Sequence, residues 1–252
     1  MSELHTFRFY SQQGEDIFVY KFFLNQIVSD GFFVEVGALD GVAGSNTKFF
    51  EENLGYSGVL IEPQKQYRES ILANRTKSML CMCAIHPTQS TVRFLGDNAA
   101  AGIVETMSDA HKASWYPDST DYVEVPAFRL GTILTNLQAK HIDFLSIDVE
   151  GGELLVLESI DWGSVEIFVI CIELDGSNSE KDAACRAILR TQGFSFQTYL
   201  GNNDIWVNLA YSKKRDRFGP IKPYDAHFDF LNQESINKLP EILSNFVSPF
   251  YT

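Results

Sequence analysis

Two acidic side chains stand where apolar runs of this sequence end. The run that begins at Phe32 closes with Val34-Glu35-Val36, and Gly37-Ala38-Leu39-Asp40-Gly41 follows at once. The next run, Val59-Leu60-Ile61, ends in Glu62, 21 residues past Gly41, with Pro63 behind it. A glycine after a buried strand lets the backbone turn sharply, and a second one lets a ligand come close to it. The spacing is G-x-x-x-G, with Leu39 where a dinucleotide fingerprint needs glycine. Glu35 would repel a diphosphate but attract an ammonium group. An acid at the end of a second strand can take both ribose hydroxyls of a nucleoside. Together the two carboxylates predict a cationic ligand that joins an amino acid to a nucleoside, as S-adenosylmethionine does. Singly, each has a plainer reading: a tight strand-to-helix turn for the glycine loop, a helix-start charge for Glu62.

A second constellation is Asp143-Phe144-Leu145-Ser146-Ile147-Asp148-Val149-Glu150-Gly151-Gly152-Glu153. A buried strand would deliver Asp148 to the same rim as Glu35, with Glu150 two residues on. An acid there is costly unless a ligand, metal or hydrogen bond receives it. Asp148 is the first choice for a general base, Glu150 the second and His111 the third. Glu153 suits a helix N-terminus, where its charge favours the dipole. Asp148, Glu173 and Asp175 are a possible magnesium set, since carboxylates suit that ion, although Glu173 and Asp175 equally serve to cap the next turn. Cys81 and Cys83 have no partner at zinc spacing and read as small core residues. His86 reads as a surface histidine. His111 sits beside Trp115 and Tyr116, aromatic faces on which a sugar ring can rest.

The elements that must position these groups alternate. Helical spacing covers 14–29, 46–53, 64–74, 130–137, 153–159 and 183–191. Strands are expected at 32–36, 58–61, 79–85, 92–95, 142–147 and 167–172. A hairpin, 194–199 and 205–210, turns at Gly201-Asn202-Asn203-Asp204. The stretch 97–121 shows no clear period, and one helix is expected near 234–245. This order predicts an α/β fold, a mostly parallel sheet with a reversed last strand. Ligands of such sheets bind beyond the carboxyl ends of the strands. The chemistry should therefore lie just after Val36, Ile61, Ile85, Ile147 and Ile172.

Composition is that of an ordinary globular chain: 252 residues, 45% hydrophobic and 21% charged. Thirty-three acidic against 20 basic side chains leave a formal charge of −13, which opposes nucleic acid as a partner. The basic run 213–217 reads as a solvated turn. No apolar run reaches the roughly 18 residues that span a bilayer, so no membrane partner is expected. Four cysteines in so long a chain do not make a disulfide scaffold. With no secretory signal visible at the start, the expectation is a soluble, cytoplasmic protein.

Five stretches in order, SQQGEDIFV (11–19), FFVEVGALDG (32–41), GYSGVLIEP (55–63), CAI (83–85) and DFLSIDVEGGELLVLESID (143–161), resemble the FkbM-type methyltransferase family. The resemblance implies a seven-stranded, Rossmann-like class I methyltransferase fold. It also implies transfer of a methyl group from S-adenosylmethionine to a hydroxyl of a saccharide or small metabolite. It places Glu35, Gly37 and Gly41 around the methionine end of the cofactor. Ser45, Asn46 and Thr47 would meet its carboxylate, Glu62 its ribose, and Ala84 and Ile85 its adenine, with Gln12, Pro63 and Asp148 also in the cofactor site. Many members carry His where this chain has Gly152. That departure leaves open a protein that kept the fold for binding and lost the reaction. The implied organisation is an N-terminal helical segment (1–30), a methyltransferase domain (31–212) and a C-terminal extension (213–252).

Overall fold

The computed structural model describes residues 7–25, 31–117, 119 and 121–211. The basic run 213–217, the helix expected near 234–245 and the extension that holds them lie outside the described residues. In chain order the strands are β1 (Phe32–Val36), β2 (Ser57–Ile61), β3 (Ser78–Cys81), β4 (Ala84–Ile85), β5 (Thr91–Leu95), β6 (Gly102–Ile103), β7 (Val123–Phe128), β8 (His141–Ile147), β9 (Glu166–Glu173), β10 (Ser195–Leu200) and β11 (Asn203–Val207). The helices are α1 (Glu15–Val19), which runs into a π-helical turn at Tyr20–Leu24, α2 (Lys48–Leu54), α3 (Arg68–Asn74), α4 (Asp109–Trp115), α5 (Leu130–Asn136), α6 (Glu153–Glu158) and α7 (Ser179–Thr191).

Seven strands pair in the order β10-β11-β9-β8-β1-β2-β3. All are parallel except β11, which runs antiparallel between β9 and β10. This is the expected α/β sheet with its last strand reversed, and its strand order is that of the class I methyltransferase fold. Both faces are covered, which is why the central strands are buried along their length and mostly apolar. Side chains alternate across β1: Phe32, Val34 and Val36 enter the core cluster that includes residues of α5, α6 and α7, and Phe33 enters the opposite cluster with α2 and α3. Glu35 follows Phe33 onto that second face, at the rim.

Two expectations are corrected. Residues 79–85 are not one strand: Cys81 C=O accepts N–H groups from both Glu62 and Cys83, at 3.0 Å each, and the chain turns out of the sheet there. Ala84–Ile85 then opens a second sheet of four strands, ordered β4-β7-β5-β6. The stretch 97–121 supplies β6 and α4 to this unit. The hairpin turn is also shorter than expected, because Asn203 and Asp204 already pair within β11. No helix among the described residues is long and apolar enough to cross a membrane.

Candidate active site

The carboxyl ends of β1, β2, β8 and β9, joined by β4, border one cleft, about 1040 Å³ with the open space at its mouth included. The five expected strand ends meet there. Of the residues singled out from the sequence, Gln12, Glu35, Gly37, Ser45, Asn46, Glu62, Pro63, Ala84, Ile85, Asp148, Glu150 and Glu173 line it. Gly41, Thr47 and Asp175 do not.

The rims of β1 and β8 touch at Gly37. Its φ is +90°, and a Cβ there would lie 1.7 Å from the Asp148 carbonyl oxygen. Only glycine fits such a turn. Gly41 lies outside the cleft lining, and its carbonyl accepts a hydrogen bond from Arg75 Nη1 at 3.1 Å.

Glu35 borders the cleft, yet its oxygens are committed to its own loop. They accept from Ser45 Oγ (2.9 Å), Asn46 N–H (2.9 Å), Thr47 Oγ1 (2.7 Å) and Arg75 Nη1 (3.2 Å). Arg75 is fully buried and also bonds Glu51 through Nε at 2.7 Å and Thr47 Oγ1 through Nη2 at 2.7 Å. Glu35 therefore shapes the loop, and leaves little capacity for a ligand ammonium. Asn46 is held in turn by Ser146 Oγ, which accepts from its Nδ2 at 2.9 Å. Arg75 and Glu51 carried no sequence signal, since both sit on or beside short helices where a charge reads as solvated.

Glu62 is differently placed. It is 3% exposed and accepts one backbone N–H at each oxygen, from Leu39 and from Gln64, both at 2.9 Å. The carboxylate keeps lone pairs beyond those two N–H groups. Burial pushes its pKa up to about 7, against the pull of the two N–H groups and of the Gln64 side chain. Cys83, Ala84 and Ile85 continue the wall beyond it, and Phe94 of β5, Ile103 of β6 and Ala99 and Ala101 of the loop between them close it. The loop and the two-residue β6 were missed because they are too short to show a period.

At the far end, Asp148, Glu150 and Glu173 each bring an oxygen within 4.8 Å of the others. Burial raises all three, to about 7 for Asp148, about 8 for Glu150 and about 9 for Glu173, with their mutual repulsion adding. Asp148 and Glu173 are hydrogen-bonded to each other. Glu150 is bound to neither, and it has a φ of +54°. Glu153 takes its expected structural role, accepting N–H groups from Val149 and Gly151. Asp175 turns to the Ser177 N–H at 2.9 Å, so the expected magnesium set is not assembled. Asp148, Glu150 and Glu173 are the carboxylates that come together in its place. His86 Nδ1 accepts N–H groups from Thr88 and Gln89, the turn-capping work of a surface histidine. His111 lies close to Glu150, Nδ1 to Oε2 at 3.6 Å.

A seven-stranded sheet in this order, with one cleft at the carboxyl rim of its central strands, defines a protein of the class I methyltransferase fold. Residues 35–196 match the family model of the methyltransferase FkbM domain. The chain belongs to the FkbM methyltransferase family. Among solved structures it is similar to the methyltransferase FkbM from Methylobacillus flagellatus KT, at 13% identity and a TM-score of 0.45, over 79% of this chain and 48% of that one. It thus spans about half the length of that protein. The precorrin-6y C5,15-methyltransferase from Geobacter metallireducens GS-15 aligns at 11% identity and a TM-score of 0.41, covering 82% of this chain and 91% of that one. A methyltransferase from Pyrococcus furiosus aligns at 14% and 0.36, covering 77% and 82%. No curated protein matches the sequence.

Proposed function

We propose that this protein is an S-adenosylmethionine-dependent O-methyltransferase whose acceptor is a hydroxyl of a saccharide or small metabolite. The observation that carries the reading is the pairing, in one cleft, of Glu62 with the acidic trio. Glu62 keeps lone pairs for ribose hydroxyls. Asp148, Glu150 and Glu173 are crowded enough to be raised to about 7–9, and a positive charge beside them relieves that repulsion. S-adenosylmethionine supplies such a charge, as a sulfonium that bears an electrophilic methyl group.

The protein's own contribution is to hold the acceptor oxygen in line with that methyl and to accept its proton. Orientation supplies several kcal/mol, and a positioned base roughly 10²–10⁴-fold in rate. Asp148, the first choice for the base on sequence grounds, is engaged with Glu173. Glu150 is the better base, and Asp148 faces the donor's methionine end. Magnesium has no part in this proposal. The acidic balance speaks against a nucleic-acid acceptor, and the four free, buried cysteines accord with a cytoplasmic setting.

Calorimetry with S-adenosylhomocysteine tests the cofactor site, and silence at millimolar concentration would defeat the proposal. Transfer of tritiated methyl from S-adenosylmethionine to a panel of methyl glycosides tests the reaction. Glu150→Gln should abolish transfer and spare S-adenosylhomocysteine binding. The second reading, binding without transfer, is favoured by Gly152, which lines the cleft without a side chain to offer. Cofactor binding with no labelled product from any acceptor would support it.

A further inference from the structure

Glu150 and His111 come from distant parts of the chain and meet at the edge of the cleft. His111 lies on α4, in the unit built around the second sheet. Its Nε2 is 2.8 Å from the Ala100 carbonyl oxygen. A carbonyl only accepts, so Nε2 carries the hydrogen and Nδ1 is the atom turned to Glu150 Oε2, 3.6 Å away. The imidazole is fixed from several sides. Its backbone N–H donates to Ser108 Oγ at 3.1 Å, the rings of Trp115 and Tyr116 lie 6.4 and 6.5 Å from it, and Tyr116 is anchored through its hydroxyl to Asn98 Oδ1 at 2.9 Å.

Glu150 is fixed as firmly. It holds a left-handed backbone, and β6 passes so close that a Cβ on Gly102 would lie 3.2 Å from its carbonyl oxygen. A conformation that disfavoured persists only where the surroundings over-determine it. The pair borders a small polar cavity that adjoins the main cleft through Glu150 and Glu173. The charged groups facing Glu150 are Asp148 on its own loop, Glu153 on α6, Glu173 on β9, Asp175 beyond it and Lys181 on α7. Lys181 is bound to Glu153 and Asp182, which leaves His111, among the described residues, as the basic group turned to Glu150.

We infer that His111 is a positioning residue for methyl transfer: its Nδ1 lone pair faces Glu150 and accepts a hydrogen bond from that carboxyl once Glu150 has removed the acceptor's proton. The inference rests on the O-methyltransferase reading. The acceptor O–H bond breaks, leaving its electron pair on oxygen and its proton on Glu150. The oxygen bonds the methyl carbon as the carbon–sulfur bond breaks, and those electrons return to sulfur. The products are a methyl ether and a neutral thioether, with the proton held between Glu150 and His111 Nδ1.

Nitrogen-15 NMR of the free protein tests the pair without any acceptor. His111 should show a protonated Nε2, and Glu150→Gln should move its Nδ1 resonance while Asp175→Asn leaves it in place. A bare Nε2, or an Nδ1 that ignores Glu150→Gln, overturns the inference. With the labelled-methyl assay on the same glycosides, His111→Asn keeps a polar atom near the Nδ1 position and His111→Gln keeps only the reach to Ala100. Both should lower kcat, by up to about 10²-fold, at unchanged cofactor KM, and Asn should retain more turnover than Gln. A purely structural role gives the reverse ranking and overturns the inference. If S-adenosylhomocysteine fails to bind the wild-type protein, the functional reading falls, while the NMR result still decides whether the pair exists.

Discussion

Arg75 Nη1 lies 3.2 Å from Glu35 Oε2 in the interior of the protein, with the guanidinium stacked over the Phe33 ring at 5.2 Å. One cation thereby balances two buried carboxylates, Glu35 and Glu51, and ties the first rim loop to the end of α3. Removing one partner of such a cluster strands the others without compensation. Arg75→Met should therefore cost about 3–5 kcal/mol of stability, read as a shift in the urea midpoint. Arg75→Lys should recover little, because an ammonium cannot reach Glu51, Glu35 and Thr47 together as the guanidinium fork does. Full stability in the lysine variant would show that the charge alone matters.

Glu62 has the opposite character, a buried carboxylate with spare acceptor capacity. Replacing it with alanine removes two charge-assisted hydrogen bonds to the proposed ribose. The expected loss is at least about 2 kcal/mol, roughly thirtyfold in affinity for S-adenosylhomocysteine by calorimetry. Since its pKa is raised to about 7 and the ionised form is the better acceptor, affinity should also tighten as pH rises through neutrality. Unchanged affinity in Glu62→Ala removes the ribose assignment.

The rim was legible in the sequence for a simple reason. Strands buried on both faces are rich in apolar residues, so Phe32–Val36, Ile142–Ile147 and Ile167–Ile172 announce themselves, and the acids at or just past their carboxyl ends mark the site. The second sheet was legible only at 92–95, which β5 (Thr91–Leu95) contains. Two of its other strands have two residues each, and Val123–Phe128 is interrupted by Pro126 and half exposed. Arg75 was hidden differently. Its partners stand 24 and 40 residues away, and no local period encodes a contact across that distance.

The crowded acids set the pH dependence of the ligand-free protein. Folded pKa values are raised by burial to about 7 for Glu62 and Asp148, about 8 for Glu150 and about 9 for Glu173. In the unfolded chain such groups titrate near about 4. Between those limits the unfolded state binds fewer protons than the folded one, so stability falls as pH rises. The penalty is absent below about pH 4 and complete above about pH 9. Melting temperature should decline from about pH 5 to about pH 9, and Glu150→Gln and Glu173→Gln should each flatten the decline. An unaltered slope in both variants would contradict the raised values.

Gly37 offers the sharpest test of how the rim is built, because Gly55 provides a matched control. Both have left-handed backbones, φ +90° and +71°, so alanine is strained at either. They differ in what the new Cβ would meet. At Gly37 it would lie 1.7 Å from a backbone oxygen of Asp148, which cannot swing aside; at Gly55 the nearest atom is the flexible tip of Lys77, 3.9 Å away. Gly55→Ala should cost about 1–2 kcal/mol, the ordinary left-handed penalty. Gly37→Ala should cost about 3 kcal/mol or more, because strain and overpacking add. It should also abolish S-adenosylhomocysteine binding by forcing β1 and β8 apart at the cleft wall, while Gly55→Ala binds normally. Equal urea midpoints for the two variants would mean that the rims do not touch at Gly37.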